Sequence, residues 1–352
     1  MKLNLIVIYI FVYLLISCGL NDQHRDVNHT FDIADFDSIF QQINKVELEI
    51  NNKNIFFLYN AQFFFLKDKK MVVIDNRGKK VILYSQNGKF IKMIGNIGRG
   101  PGELIEPYCG IADSLDNILI YDLAQMIINK YNPDGNFVST IKLKKYMEKI
   151  YISSKQNIFF YTSQYFFDNK IVFKYSPNFD FLNAFALPLN EFKESNIMQC
   201  GGIALDQYEN SYVISPYNYL IRKYDTNGTP LLYYHINPSF FKETKKMPKE
   251  EPHEFKRWIK EATPIVDILL FSNKYLFVTV RDIDKKRNYV DIYLIRGDQI
   301  KYCKTVLINH LFFSMHTSQD YFYTLSEDED KMYLNKYELN IKYLKDCDEK
   351  IQ

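Results

Sequence analysis

The sequence has little net charge and few of the residues that build common catalytic or metal sites. Its 44 lysines and arginines nearly balance its 42 aspartates and glutamates. This balance provides no strong field to attract polyanions, so the composition disfavours a nucleic-acid partner. The 352 residues include only six histidines, five cysteines and one tryptophan. We find no C-x-x-C, His-Glu-x-x-His, Gly-x-Ser-x-Gly or EF-hand motif, so the sequence predicts no metal and no cofactor.

Long apolar runs are also missing, except at the start of the chain. An apolar run over residues 3–16 follows Lys2 and is interrupted only by Asn4. It is shorter than the ~20 residues of a membrane-spanning helix, and its length and flanks are those of a secretory signal peptide. Residues 15–18, Leu-Ile-Ser-Cys, resemble a bacterial lipobox. We therefore predict lipidation of Cys18 and a membrane anchor; an ordinary signal peptide with a chance cysteine is the alternative.

The remaining four cysteines give no framework. Cys109, Cys200, Cys303 and Cys347 lie far apart, and no histidine stands at zinc-like spacing from them. We expect isolated thiols on strands rather than a disulfide, although an oxidising periplasm leaves a bridged pair open.

What the sequence does contain is a repeated phrase of short apolar strands and polar turns. In its first copy, strand Met71–Asp75 and strand Val81–Tyr84 are followed by an Asn-Gly turn and a third strand. Six copies align on a tyrosine near the end of the second strand: Tyr84, Tyr131, Tyr175, Tyr224, Tyr293 and Tyr337. Four of the five intervals are in the forties and one is 69 residues. This period predicts an all-β fold, a six-bladed β-propeller with four strands per blade.

A propeller has to close its ring, because an open edge strand invites aggregation. The segment Lys45–Ile50 alternates polar and apolar residues and belongs to no blade of its own, so we predict that it supplies the outer strand of blade six. The predicted organisation is a signal peptide at residues 1–17, a flexible tether at 18–42, the propeller at 43–346 and a tail at 347–352.

Between the first two repeats stands the string Gly98-Arg-Gly-Pro-Gly-Glu103. With the lipobox and the repeated phrase, it resembles the six-bladed β-propeller lipoproteins of Bacteroidetes, which are similar to NHL-type propellers. The resemblance covers nearly the whole mature chain and implies a cell-envelope protein without assigned catalytic residues. The third and sixth repeats depart from the pattern, with Asn178-Phe179 and Leu339-Asn340 at the glycine turn. No Lys-Ser/Thr follows the glycines, so we reject a phosphate loop and expect Arg99 and Glu103 to pair locally.

The 69-residue interval indicates an insertion between blades four and five, at residues 237–263. Phe255, Trp258, Ile259 and Ala262 recur at helical spacing, which predicts a short amphipathic helix. A helix this short is marginal alone, so its apolar stripe must pack against its own propeller or against a partner.

Propeller topology places the blade-to-blade crossovers and the second-to-third strand turns on one face, which is our predicted binding face. Its candidate residues are Arg77, Arg99, Glu103, Tyr165, Tyr217, Trp258 and Arg281. We predict a lipid-anchored monomer of the cell envelope, on the periplasmic face or the cell surface, that binds a protein, peptide or glycan. The alternative is a hydrolase or lyase centred on the channel, for which His310 and His316 are the nearest candidate metal ligands. Asp75 and Asp122, which end equivalent strands, are expected to accept turn N–H groups.

Overall fold

The computed structural model describes residues 24–27, 32–51, 61–163, 169–189, 200–242, 261, 263–308, 315–318, 320–328 and 331–344. Cys18 and the signal peptide, Tyr165, Trp258 and its predicted helix, His310 and Cys347 lie outside these residues. No helix in the described part of the chain is long and apolar enough to cross a membrane.

The described chain is built almost entirely of strands. Its helical elements are α1 (Phe36–Ile39) and one 3-10 turn (Ile341–Leu344). In chain order the strands are β1 (His24–Val27), β2 (Ile33–Asp35), β3 (Phe40–Glu47), β4 (Ala61–Phe65), β5 (Met71–Asp75), β6 (Lys80–Tyr84), β7 (Phe90–Met93), β8 (Pro107–Ala112), β9 (Ile118–Asp122), β10 (Ile127–Tyr131), β11 (Phe137–Lys142), β12 (Lys149–Ile152), β13 (Ile158–Tyr161), β14 (Val172–Tyr175), β15 (Phe181–Phe185), β16 (Gly202–Leu205), β17 (Ser211–Ser215), β18 (Asn218–Tyr224), β19 (Pro230–Ile236), β20 (Ile265–Phe271), β21 (Tyr275–Asp282), β22 (Arg287–Arg296), β23 (Gln299–Ile308), β24 (Met315–Thr317), β25 (Tyr321–Asp328) and β26 (Lys331–Leu339).

These strands form six antiparallel sheets, which are the six blades of a β-propeller. Blades one to five take four consecutive strands each, starting at β4, β8, β12, β16 and β20, and blade six combines β24, β25 and β26 with β3. Within each blade the first strand in this order is the inner one and the last is the outer one. The predicted fold class and blade number are confirmed.

The ring has six separate hydrophobic cores, one between each pair of neighbouring blades. Each blade is covered on both sides, and in blades one to five the second strand is buried at every position; β5, β9 and β17 are examples. This explains why these strands are continuously apolar in sequence rather than alternating. The six repeated tyrosines are all buried in these cores.

The N-terminal segment closes the ring, as predicted, but it begins earlier than the sequence indicated. Strand β3 pairs with β26 from Phe40 opposite Leu339 to Glu47 opposite Tyr333. Before it, β1 pairs in parallel with β19 and β2 with β23, on the outer edges of blades four and five. Residues 24–27, 33–35 and 40–42, which the sequence assigned to a flexible tether, pair through their backbones with strands of the ring.

Antiparallel order assigns every connection to one of two faces. The crossovers between blades and the turns between second and third strands lie on one, the crossover face. The turns between first and second strands and between third and fourth strands lie on the other, the turn face. Each outer strand runs from the turn face to the crossover face.

Candidate binding face and channel mouth

The described candidate residues divide into exposed and buried groups on the crossover face. Arg77, in the turn after β5, and Arg99, in the crossover to blade two, are exposed. Glu103 is half-buried, and its carboxylate accepts the N–H of Gly100 at 2.7 Å instead of pairing with Arg99, so the expected ion pair is not formed between these described residues. The loop is held by its own backbone and by contacts with blade two. The Arg99 side chain forms no salt bridge with any residue that the structure describes.

Tyr217 and Arg281 lie on this face but not at its surface. Their exposed fractions are 2% and 6%. The turn between β17 and β18 has only two residues, and the backbone N–H of Arg281 donates to the carbonyl of Pro264 in the next crossover. These contacts place both side chains below the loops, so neither offers an exposed contact to a ligand. Polarity alone could not separate them from Arg77 and Arg99.

The aspartates that end second strands cap the turns that follow them. Asp75 accepts the N–H of Gly78 at 2.8 Å, and Asp122 accepts the N–H groups of Gln125 at 3.1 Å and Ile105 at 2.6 Å. This confirms their predicted structural role. Asp282 in blade five does the same for Lys285 at 3.1 Å. These repeated carboxylates stabilise the crossover-face turns by accepting their backbone N–H groups.

A cluster that the sequence did not predict lies at the crossover-face end of the inner strands of blades three, four and five. We call it the mouth cluster: Glu148, Lys149, Tyr151 and Asp267. The Lys149 ammonium of blade three lies 3.0 Å from Asp267 Oδ1 of blade five and donates to the carbonyls of Gly201 at 2.7 Å and Val266 at 2.9 Å. The Tyr151 hydroxyl accepts the N–H of Ile203 at 3.2 Å. Charges from two blades thus meet across the start of a third.

Gly202, the first residue of β16, makes this crossing possible. A Cβ at this position would stand 2.6 Å from Asp267 Oδ1 and 2.7 Å from the Tyr151 hydroxyl. The inner strand of blade four therefore approaches the ion pair more closely than any residue with a side chain could. The ion pair therefore bridges the inner strands of blades three and five across the start of β16.

Burial sets the titration of the mouth cluster. Burial raises the pKa of Asp267, and the neighbouring Lys149 ammonium opposes that rise. Burial also raises the pKa of Glu148 to about 7, although both carboxylate oxygens accept hydrogen bonds from Ser163, one from its N–H and one from its hydroxyl, each at 2.8 Å. Glu148 is consequently a carboxyl group that changes charge near neutral pH.

A shallow cavity lies beside Glu148, between blades three and four on the crossover face. Ser163 belongs both to its wall and to the Glu148 contact. The wall is completed by Tyr161, Ile171, Pro188, Leu189, Ser215 and Pro216. Apolar and aromatic walls with a few hydroxyl groups are the usual composition of a ligand site.

His316 lies on β24, the inner strand of blade six, and its side chain is half-buried. It packs between blades one and six against the rings of Phe63, Phe65 and Tyr323, with centroid distances of 5.9, 5.4 and 6.4 Å. Burial lowers the pKa of His316 to about 4, so the imidazole is neutral at physiological pH. In the described residues no three histidine, cysteine, aspartate or glutamate side chains group as metal ligands would. Cys109, Cys200 and Cys303 are free thiols.

The fold defines the class of the protein: a six-bladed β-propeller. Solved structures support this class. A Bacteroides fragilis protein named for its expected export matches with a TM-score of 0.60 and 14% identity, covering 90% of this chain and 99% of its own. A Bacteroides vulgatus member of the DUF4221 family matches with a TM-score of 0.60 and 10% identity, covering 86% and 98%.

A third similar structure is an enzyme, the catalytically inactive form of virginiamycin B lyase from Staphylococcus aureus, solved with quinupristin. Its TM-score is 0.51 at 11% identity, and the match covers 84% of this chain and 99% of that one. Identities this low establish a shared fold alone. A search of curated protein sequences finds no match.

The family follows from the sequence itself. The family model for a domain of unknown function, DUF4934, matches residues 26–352. The chain belongs to this family.

Proposed function

We propose that this protein is an exported, lipid-anchored propeller that binds a protein, peptide or glycan through its crossover face. Export is supported by the signal-like run over residues 3–16 and by the likeness to a Bacteroides fragilis protein named for export. Anchoring rests on the Leu-Ile-Ser-Cys18 sequence.

The observation that carries the binding role is that the charged groups at the channel mouth are paired with one another. A propeller enzyme that works in its channel needs groups there that can meet a substrate. Here Lys149 and Asp267 satisfy each other and the surrounding carbonyls. The groups directed outward are instead the exposed Arg77 and Arg99 around the rim and the cavity beside Ser163. Surface recognition is the use that this arrangement supports best.

The test is capture of envelope components by the mature protein and by matched arginine variants. We expect an Arg77→Ala, Arg99→Ala double variant to lose about tenfold in affinity for the captured molecule, equivalent to about 1.4 kcal/mol. Arg296→Ala removes an exposed arginine on the turn face and serves as the control. Equal affinity of all three proteins would contradict a binding role for the crossover face.

Glu148 favours a second candidate function, a hydrolase or lyase that works at the channel mouth. A buried carboxyl group with a pKa of about 7 has the properties of a general acid or base. Turnover of quinupristin or simple lactones by the purified protein, abolished by Glu148→Gln and dependent on a group titrating near pH 7, would support it. Absence of turnover in that panel together with ligand capture favours binding.

A further inference from the structure

We propose that the turn face of the propeller lies against the lipid bilayer and that the crossover face points away from it. This orientation rests on the proposed lipid anchor at Cys18. It is carried by two independent features of the described chain, the direction of β1 and the distribution of exposed apolar side chains.

The first feature is the direction in which the anchored end reaches the ring. Strand β1 is parallel to β19, with His24 opposite Tyr233 and Val27 opposite Ile236. Since β19 runs from the turn face to the crossover face, the chain that precedes His24 comes from the turn-face side. Six residue-to-residue steps lead from Cys18 to His24, which corresponds to at most about 20 Å of extended chain.

That short reach limits where the lipid can be. About 10 Å is needed to pass from the level of Tyr233 to the turn-face end of β19 at Pro230. Roughly 10 Å then remains beyond the end of blade four. On the opposite face β19 ends at Ile236, where the connection to β20 begins. The acyl chains of Cys18 therefore fit a membrane at the turn face better than one at the crossover face.

The second feature is a repeated apolar bulge. In five blades the outer strand has one extra residue opposite the repeated tyrosine, and that residue is a large aliphatic side chain exposed by 40–52%. These residues are Ile43, Ile91, Val138, Leu182 and Leu231. In blades one to four the bulge lies just after the turn between third and fourth strands. The apolar side chains thus form a belt around the ring, near the turn face.

The tips of the turn face add to this belt. Leu115 and Tyr208, in turns between first and second strands, are exposed by 75% and 66%. Exposed apolar groups arranged in this way mark a surface that is covered in use. A flat surface lying against the turn face contacts both the turn tips and the belt. The bilayer that holds the lipid anchor provides such a surface.

The test compares two equally exposed positions on opposite faces. In a Trp258→Phe background, which removes the only tryptophan, a new tryptophan replaces either Leu115 on the turn face or Ile97 on the crossover face, exposed by 75% and 78%. The acylated proteins are bound to vesicles of phosphatidylethanolamine and phosphatidylglycerol with brominated acyl chains. We expect several-fold stronger quenching for Leu115→Trp than for Ile97→Trp, and intermediate quenching for Leu231→Trp.

The outcomes separate the orientation from the anchor. Protein that floats with the vesicles but shows equal quenching at both positions, or stronger quenching for Ile97→Trp, overturns the orientation and leaves the anchor standing. Protein that stays unacylated at Cys18 and does not float overturns the anchor and the orientation together. Circular dichroism of each variant verifies that the ring is folded.

Discussion

The two halves of the ring protect their outer edges in different ways. Blades one to three are four-stranded, and no further described strand pairs with their outer edges. Blades four and five each carry a fifth strand, and blade six takes its outer strand from the N-terminal segment. The strands also differ in length: β14 has four residues, whereas its counterpart β22 has ten.

This difference shows that the N-terminal segment from β1 to β3, about two dozen residues long, has two structural roles. It supplies β3, without which blade six has no outer strand, and it covers the edges of blades four and five through β1 and β2. Blades one to three, which carry no added strand, have short outer strands with bulges. The bulges interrupt the regular hydrogen-bond ladder that a strand from another chain would need. Three experiments sharpen the comparison.

Shortening the chain in steps has the largest expected effect. A protein that begins at residue 48 lacks β3 and leaves the partners of the fully buried Ile39 and Phe40 exposed in the core between blades five and six. We expect it to show no cooperative thermal unfolding and to aggregate. A protein that begins at residue 28 lacks only β1 and should unfold cooperatively. Calorimetry and size-exclusion chromatography distinguish these results; similar behaviour of both proteins would refute a special role for β3.

The ion pair that joins blades three and five tests how the halves are tied together. Lys149→Met leaves the partly buried Asp267 without its cation and is expected to cost about 1–3 kcal/mol of unfolding free energy. Glu47→Gln, which breaks a pair with Lys331 whose side chains are both more than half exposed, should change the unfolding free energy very little. Denaturant unfolding measures both. A cost for Lys149→Met as small as that of the surface pair would contradict the structural role of the mouth cluster.

The third experiment concerns Asp291, which lies in blade five, within the half of the ring that carries the added N-terminal strands. It accepts hydrogen bonds from the hydroxyls of Thr305, Tyr219 and Tyr293, and burial raises its pKa to about 7. The folded protein therefore holds a proton that the unfolded chain releases near pH 4. Stability is lost as the pH rises from about 4 to about 7, by at most about 4 kcal/mol for this group.

Thermal unfolding across that pH range tests the assignment. Asp291→Asn should flatten the pH dependence, whereas Asp284→Asn, an exposed aspartate of the same blade, should leave it unchanged. An unaltered slope in Asp291→Asn would show that another group carries the proton.

The sequence predicted the fold from the tyrosine-centred repeat, because each blade buries the same positions against its neighbours. It placed the closing strand late, at Lys45 instead of Phe40, since the residues before it are mostly polar and exposed. It missed β1 and β2 because they pair through backbone groups, which every residue possesses.

The candidate site was harder to predict. Lys149 and Asp267 lie on inner strands outside the repeated phrase, and 118 positions separate them in sequence, so no spacing rule joins them. The burial of Arg281 and Tyr217 depends on how adjacent crossovers fold over them. Turn-capping aspartates were predictable because their partners are local.

The pairing of β3 with β26 joins residues from nearly opposite ends of the described chain, so its loop-closure entropy is among the largest in the fold. Contacts of such long range slow folding. Strand β3, which completes the ring, is synthesised before the other strands of blade six. It cannot pair until β26 has been synthesised. A chain that cannot finish folding until its final blade is available stays extended for longer, which suits a polypeptide threaded through a translocation pore.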